Sequence, residues 1–353
     1  MERVKLDSEI LGFSVVILSA EGHDFPAQLV ASERRDTSEV FTYRVEGEDI
    51  FSVFTKFYDG DVLGHIQAGR KCYFVSTEVD EHLVTSSLYV EAPEVVYYPN
   101  LVTPMQDLVA TAVKPNGKRR AVRSGSLPPT VWINIAISTE YRDAVGGADK
   151  VTKRVIHLMD RQNTAYRSSG FNGRMAIREI FFFERPAGLA QADIFDWAVD
   201  AEGPINKARA LSKAAGTLVL FQNSYSPLAL ITSPAPLIPR IEVAIAGKIF
   251  ASWDDGDIVE ALHELGHLSG GDHNPESSSS GPNDPQLSAR DWYSCEEAIY
   301  GALSYNICNI WLKKIEMYSG LRAVYGGKVR GKATQNNVGT FELVFQFMKG
   351  EHD

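Results

Sequence analysis

The sequence predicts a mixed α/β protein in two unequal parts: a small all-β unit over residues 1–113, then an α/β unit over 130–353 with long helices on a mixed, mainly parallel sheet. Three observations predict it. Residues 10 to about 98 alternate apolar and polar side chains in short runs, the two-residue period of strands with one buried face. Residues 114–129, KPNGKRRAVRSGSLPP, break that pattern with Pro, Gly, Ser and basic side chains, a composition that builds no core. Beyond them, buried-type strand runs alternate with helical spacing in a βαβαβ order, and successive parallel strands require such crossovers.

The β unit takes its strands from FSVVIL, VFTYRV, DIFSVFTKF, KCYFVS and SSLYVEA, separated by Gly, Asp and Asn. The amino-terminal run MERVKLDSEILGFSVVILSA places Asp7 and Glu9 ahead of its apolar stretch, so it reads as a first strand and not as a secretion leader. Export would then use a leader already removed or a route that reads none. Lys118, Arg119 and Arg120 in the connecting segment are either part of a solvated link or a processing site.

In the α/β unit VWINIAIS (131–138) opens the sheet, and residues 148–168 follow as a helix with Val151, Val155, Leu158 and Met159 on one face. RMAIREIFFFE, INKARALSKA and GTLVLFQ read as strand, helix and strand, and IEVAIAGKIFASW (241–253) as one or two strands at the sheet edge. A further helix runs through DDGDIVEALHELGHLSGG, with Asp254, Asp255 or Asp257 as its cap. Residues 274–291 have loop composition, and the carboxyl-terminal part mixes a short helix with strand-like runs.

With 353 residues, 44% of them hydrophobic, a formal charge of -10 and a pI near 5.4, the chain can bury two cores and lacks the basic field that nucleic acid or anionic lipid requires. No apolar run reaches the roughly 18–20 residues of a membrane-spanning helix.

Chemistry concentrates in HELGHLSGGDH, residues 263–273, with the spacing H-E-x-x-H-x-x-G-x-x-H. His263 and His267 are four apart, so a helix projects both from one face toward a common ion. Gly270 can take the left-handed conformation that ends the helix and brings His273 back as a third nitrogen ligand. Three neutral imidazoles leave a fourth position for water, the pattern of a catalytic and not a structural zinc. Glu264, beside the first ligand, is placed to take a proton from that water.

This signature resembles that of the metzincin zinc peptidases. The resemblance extends along IAISTEYRDAVGGADKV, DRQNTAYRSSGF, AAGTLVLF, YGALSYNIC, KIEMYSG and AVYGGKVRGKATQNN, which are similar in order to bacterial reprolysin-like (adamalysin-like) enzymes over roughly residues 130–340. It implies a metzincin-like catalytic domain and a secreted zinc endopeptidase made as a zymogen, with a protein or peptide substrate lying extended along the strand at 241–253. Leu303 stands where the family has the methionine of its Met-turn, an exchange of similar volume. Tyr305 falls where some metzincins place a tyrosine on zinc or the oxyanion, and is otherwise a core tyrosine. Cys295 and Cys308 bracket the turn where the family often has a disulfide, with two buried thiols as the alternative; Cys72 is either a latency thiolate or a strand-core thiol.

The β unit then becomes either an inhibitory pro-domain released at the basic segment, which its position favours, or a permanent docking module. Two rival functions stay open: a thermolysin-like peptidase whose third ligand is Glu296 or Glu297, and a catalytically silent binding or inhibitory module, suggested by Leu303 and the attached β unit.

Overall fold

The computed structural model describes residues 11–20, 23–68, 71–80, 83–90, 110–113, 129–190, 193–200, 202–221, 228–229, 243–246, 255–273, 291–297, 299–304, 313–332 and 335–352. Lys118, Arg119, Arg120, Tyr305 and Cys308 lie outside these residues.

β1 (Val15–Ala20), β2 (His23–Arg34), β3 (Ser38–Val45), β4 (Phe51–Phe57), β5 (Val62–Ala68), β6 (Lys71–Asp80) and β7 (Leu83–Val90) form an antiparallel meander in which sequence neighbours pair. One face carries a core of Leu18, Phe41, Tyr43, Phe54, Val62 and Val75. β4 is buried along nearly its whole length, where a surface sheet would bury alternate residues. Its second face, with Thr55 and Phe57, packs on a helix of the α/β unit.

The second sheet has the order β12-β13-β11-β9-β10-β8, built from β8 (Ala110–Val113), β9 (Thr130–Ser138), β10 (Arg174–Phe183), β11 (Gly216–Leu220), β12 (Leu228–Ala229) and β13 (Val243–Ala246). The four inner strands are parallel, and β8 and β12 close the edges antiparallel. This gives the mixed α/β architecture of an antiparallel sheet beside a mainly parallel one. Two details depart from the sequence expectation. Within the run expected at the sheet edge, 241–253, the described strand β13 is not outermost, because β12 pairs outside it. Residues 110–113, assigned by pattern to the β unit, add a strand to β10 instead.

Helices cover both faces. α1 (Thr139–Val145) starts with the Ser138 hydroxyl accepting from the Tyr141 amide at 3.2 Å, and α2 (Ala148–Ser168) follows after Gly146 and Gly147. α2, α5 (Asp255–Leu268) and α6 (Asn337–His352) share one core with Ile133, Ile135 and Ile137, the inward residues of β9. Ala136, between them, joins the opposite core with Phe181, Phe183 and Phe221 beneath α3 (Ile194–Val199) and α4 (Pro204–Ser212). α6 is longer than the short helix expected, and its Val338, Phe341, Val344 and Phe345 recur at helical spacing into the first core. Short pairings complete the carboxyl-terminal part: β14 (Tyr293–Ser294), β15 (Ile299–Tyr300) and β16 (Lys313–Lys314) form one small sheet, and β17 (Val324–Tyr325) and β18 (Lys328–Val329) a hairpin. Among the described residues no helix is long and apolar enough to cross a membrane.

Candidate metal centre

α5 packs its Leu262, Leu265 and Leu268 into the core, which leaves the neighbouring helix positions to present His263 and His267 together. Gly270 has φ of +92°, in the left-handed region that ends the helix, and its amide donates to the His267 carbonyl at 2.8 Å. The reversed chain places His273 against the other two.

The three Nε2 atoms form a triangle with edges of 3.1 Å (His263–His273), 3.1 Å (His263–His267) and 2.9 Å (His267–His273). The two helical rings are fixed from behind. His263 Nδ1 lies 3.0 Å from the Ala302 carbonyl oxygen, and His267 Nδ1 lies 2.9 Å from that of Gly271. A carbonyl only accepts, so both Nδ1 atoms carry the proton and both Nε2 atoms present lone pairs inward. Converging lone pairs repel unless a cation lies among them. Tetrahedral ligands about 2.0–2.1 Å from zinc lie roughly 3.3 Å apart, close to the observed spacing. The residues therefore suit a metal ion held by three nitrogens, and the backing carbonyls supply the outer hydrogen bonds that orient imidazole ligands. Glu264 follows His263 on the helix and is buried.

Beneath the site, Leu303 is fully buried. A Cβ on Gly271 would lie 2.4 Å from Leu303 Cδ1, and one on Gly266 2.7 Å from Tyr318 Cε1, so both glycines let the helix end settle on this floor. The Tyr318 hydroxyl donates to the Leu262 carbonyl at 2.7 Å, pinning α5 from below.

Two residues that brace the chain around the histidines escaped the sequence reading. Asp291 is fully buried, and its carboxyl accepts from the amides of Leu303 (2.6 Å), Ser304 (2.9 Å) and Ser319 (2.9 Å). It thereby holds the 301–304 turn whose Ala302 carbonyl fixes His263. Burial pushes this carboxyl up to about 7, against the opposing pull of the amide donors. Nothing in the loop composition before it signals that role. Asn337 clamps the chain next to His273: its Oδ1 accepts from the Asp272 amide at 3.1 Å and its Nδ2 donates to the Asp272 carbonyl at 3.2 Å. Its place at the start of α6 is one that helix-start rules could have marked.

The other sequence candidates lie elsewhere. Glu297 pairs with Lys328 and Arg330, which hold its carboxyl down at about 2, and so it is not gathered with the histidines. Cys295 is disulfide-bonded, and Cys72 stands on β6 opposite Gln67. A second acidic group, Asp59, Asp61 and Asp149, surrounds Lys153 Nζ at 2.6, 2.6 and 2.9 Å, so an ammonium already fills it.

No family model matches the chain, and no curated protein matches its sequence. Among solved structures, one described as a chaperone-substrate complex aligns with a TM-score of 0.47 at 12% identity, over 84% of this chain and 40% of that one. The protein thus spans about two fifths of that chain's length. Metalloproteinase-II from Bacteroides fragilis aligns with a TM-score of 0.42 at 9% identity, over 73% of this chain and 81% of that one. At these scores the likenesses establish no family, and the site's own geometry has to carry any reading of function.

Proposed function

We propose that the protein is a zinc-dependent endopeptidase of the metzincin type, with His263, His267 and His273 as the metal ligands and Glu264 as general base. The observation that carries this reading is the Nε2 triangle with two Nδ1 protons turned outward onto carbonyls. When bound, zinc supplies Lewis acidity, polarising the scissile carbonyl and making water a competent nucleophile near neutral pH. Glu264 takes the proton of the attacking water and returns it to the leaving amine. His263 and His267 contribute fixed orientation, so the donor set needs little rearrangement to bind. An extended peptide would pair at the sheet edge on the β12 side, with Tyr305 beyond the turn as a candidate partner for the oxyanion. The disulfide at Cys295 supports maturation in an oxidising compartment outside the producing cytosol, and the family resemblance names Cys308 as its partner.

The test joins elemental analysis to identification of new termini in a casein digest. The expected result is one zinc per chain and cleavage by the native protein that Glu264→Ala abolishes with its metal retained. Identical digests from the two proteins would remove the peptidase reading and leave the silent module. Replacing His273 by Ala is expected to weaken zinc binding by more than the roughly 10–100-fold that loss of an outer partner costs. Unchanged affinity would instead favour the glutamate-ligand rival.

A further inference from the structure

We propose that the β1–β7 sheet is a permanent buttress of the metal-bearing half and stays bound to it after the chain is cut within residues 114–128. Three separate contacts, made by different parts of the amino-terminal stretch, support this.

The first is a polar seam along α2. Arg35 Nη2 lies 2.6 Å from Asp160 Oδ1, and the Thr55 hydroxyl donates to Asp160 Oδ2 at 2.7 Å. A hydroxyl has one proton to give, so the 2.9 Å contact between Thr55 and His157 Nδ1 runs from the ring to the oxygen. Lys153 reaches Asp59 and Asp61 at one end of the seam, Arg167 donates to Thr42 at 2.9 Å, and Arg174 grips Glu33 with two nitrogens at 2.9 and 3.1 Å. Asp160 and His157 are both almost wholly buried. Without the sheet Asp160 would lose both of these partners.

The second contact is apolar. Ile50, just ahead of β4, is buried in a cluster with Trp292, Ile299, Ile315, Met317 and Ala323. Those residues hold the turn beneath the metal site: the Ala302 amide donates to the Met317 carbonyl at 3.0 Å, and the Gly301 amide to that of Trp292 at 2.9 Å. The Ala302 carbonyl in turn fixes His263. A side chain from the β3–β4 connection therefore backs the residues that orient the first ligand.

The third contact is β8. Its register pairs Val113 with Ile180 and Ala110 with Phe183, so residues preceding the basic segment complete the edge of the parallel sheet. A cut after residue 113 leaves this strand with the amino-terminal piece, still hydrogen-bonded to β10. By these contacts, processing at Lys118, Arg119 or Arg120 yields a two-chain protein and is not a release step.

The experiment inserts a recognition sequence for a site-specific protease between Asn116 and Gly117 of the full chain, in the Glu264→Gln background so that self-cleavage plays no part. After complete cutting, native size-exclusion chromatography with mass spectrometry is expected to show more than about nine-tenths of the amino-terminal piece eluting with the larger one. In stepwise urea the two pieces are expected to part only in the transition that unfolds the larger piece. Separation in native buffer, or release at urea concentrations where the larger piece remains folded, would overturn the proposal. Both readouts are independent of zinc and of turnover, so their failure is distinguishable from failure of the peptidase reading.

Discussion

The candidate metal centre and the seam between the β1–β7 sheet and α2 are both rich in buried polar groups, yet they are assembled in opposite ways. The centre comes from residues 263–273 of one helix and its turn, whereas seam partners are separated by 92 to 141 residues in sequence. A contiguous constellation is fixed once its helix forms, so its cost of ordering is already met by α5 packing on the core. The seam forms only when two separately patterned sheets have docked. Its paired charges give up hydration to do so, which makes them stronger at specifying one docked arrangement than at stabilising it. Changes in the centre should therefore cost chemistry and spare the fold, and changes in the seam should do the reverse.

The largest effect expected under that contrast is from Glu264→Gln, which should lower turnover by about 10²–10⁴-fold with zinc content and urea midpoint unchanged. A matching fall in stability would break the contrast. Next is Asp160→Ala in the seam. It strips a partner from Arg35 and an acceptor from Thr55, and should cost about 3 kcal/mol in urea unfolding while the folded fraction keeps its metal affinity.

Asp291→Asn sharpens the comparison because Asp291 supports the centre without being one of its three nitrogen donors: its amide donates to the His273 carbonyl at 3.2 Å and its carboxyl holds the 301–304 turn. Its carboxyl is raised to about 7 in the fold from 3.8, so the native state retains a proton that the unfolded chain releases. The resulting stabilisation is present below about pH 4 and is lost as pH rises through about 7, a swing of about 4 kcal/mol at most. In chelator-treated protein, the native chain should lose unfolding free energy relative to Asp291→Asn across that window; parallel curves would remove Asp291 as a titrating support. The smallest effect is expected from Leu303→Met, an exchange of similar volume costing under about 1.5 kcal/mol by thermal unfolding, with turnover changed less than about threefold.

The same contrast explains what the sequence made legible. The three histidines, Glu264 and Gly270 could be picked out because helix periodicity and a glycine turn are local rules, and α2 could be bounded at 148–168 by its apolar stripe. Asp291 could not, since its three amide donors come from two segments that the chain brings together only on folding. The seam was hidden for the same reason: Thr55 and Asp160 look like ordinary polar residues of a strand and a helix until those elements face each other. The place of β8 in the second sheet was missed because ATAV carries no mark of which partner it will pair with.

Leu303 carries one consequence for the protein's chemical durability. A methionine in that place would present a thioether that peroxide converts to a polar sulfoxide, swelling the surface against which Gly266 and Gly271 are fitted. Leucine offers oxidants no such foothold at this position, which leaves Met317, fully buried behind the turn, as the thioether in that support.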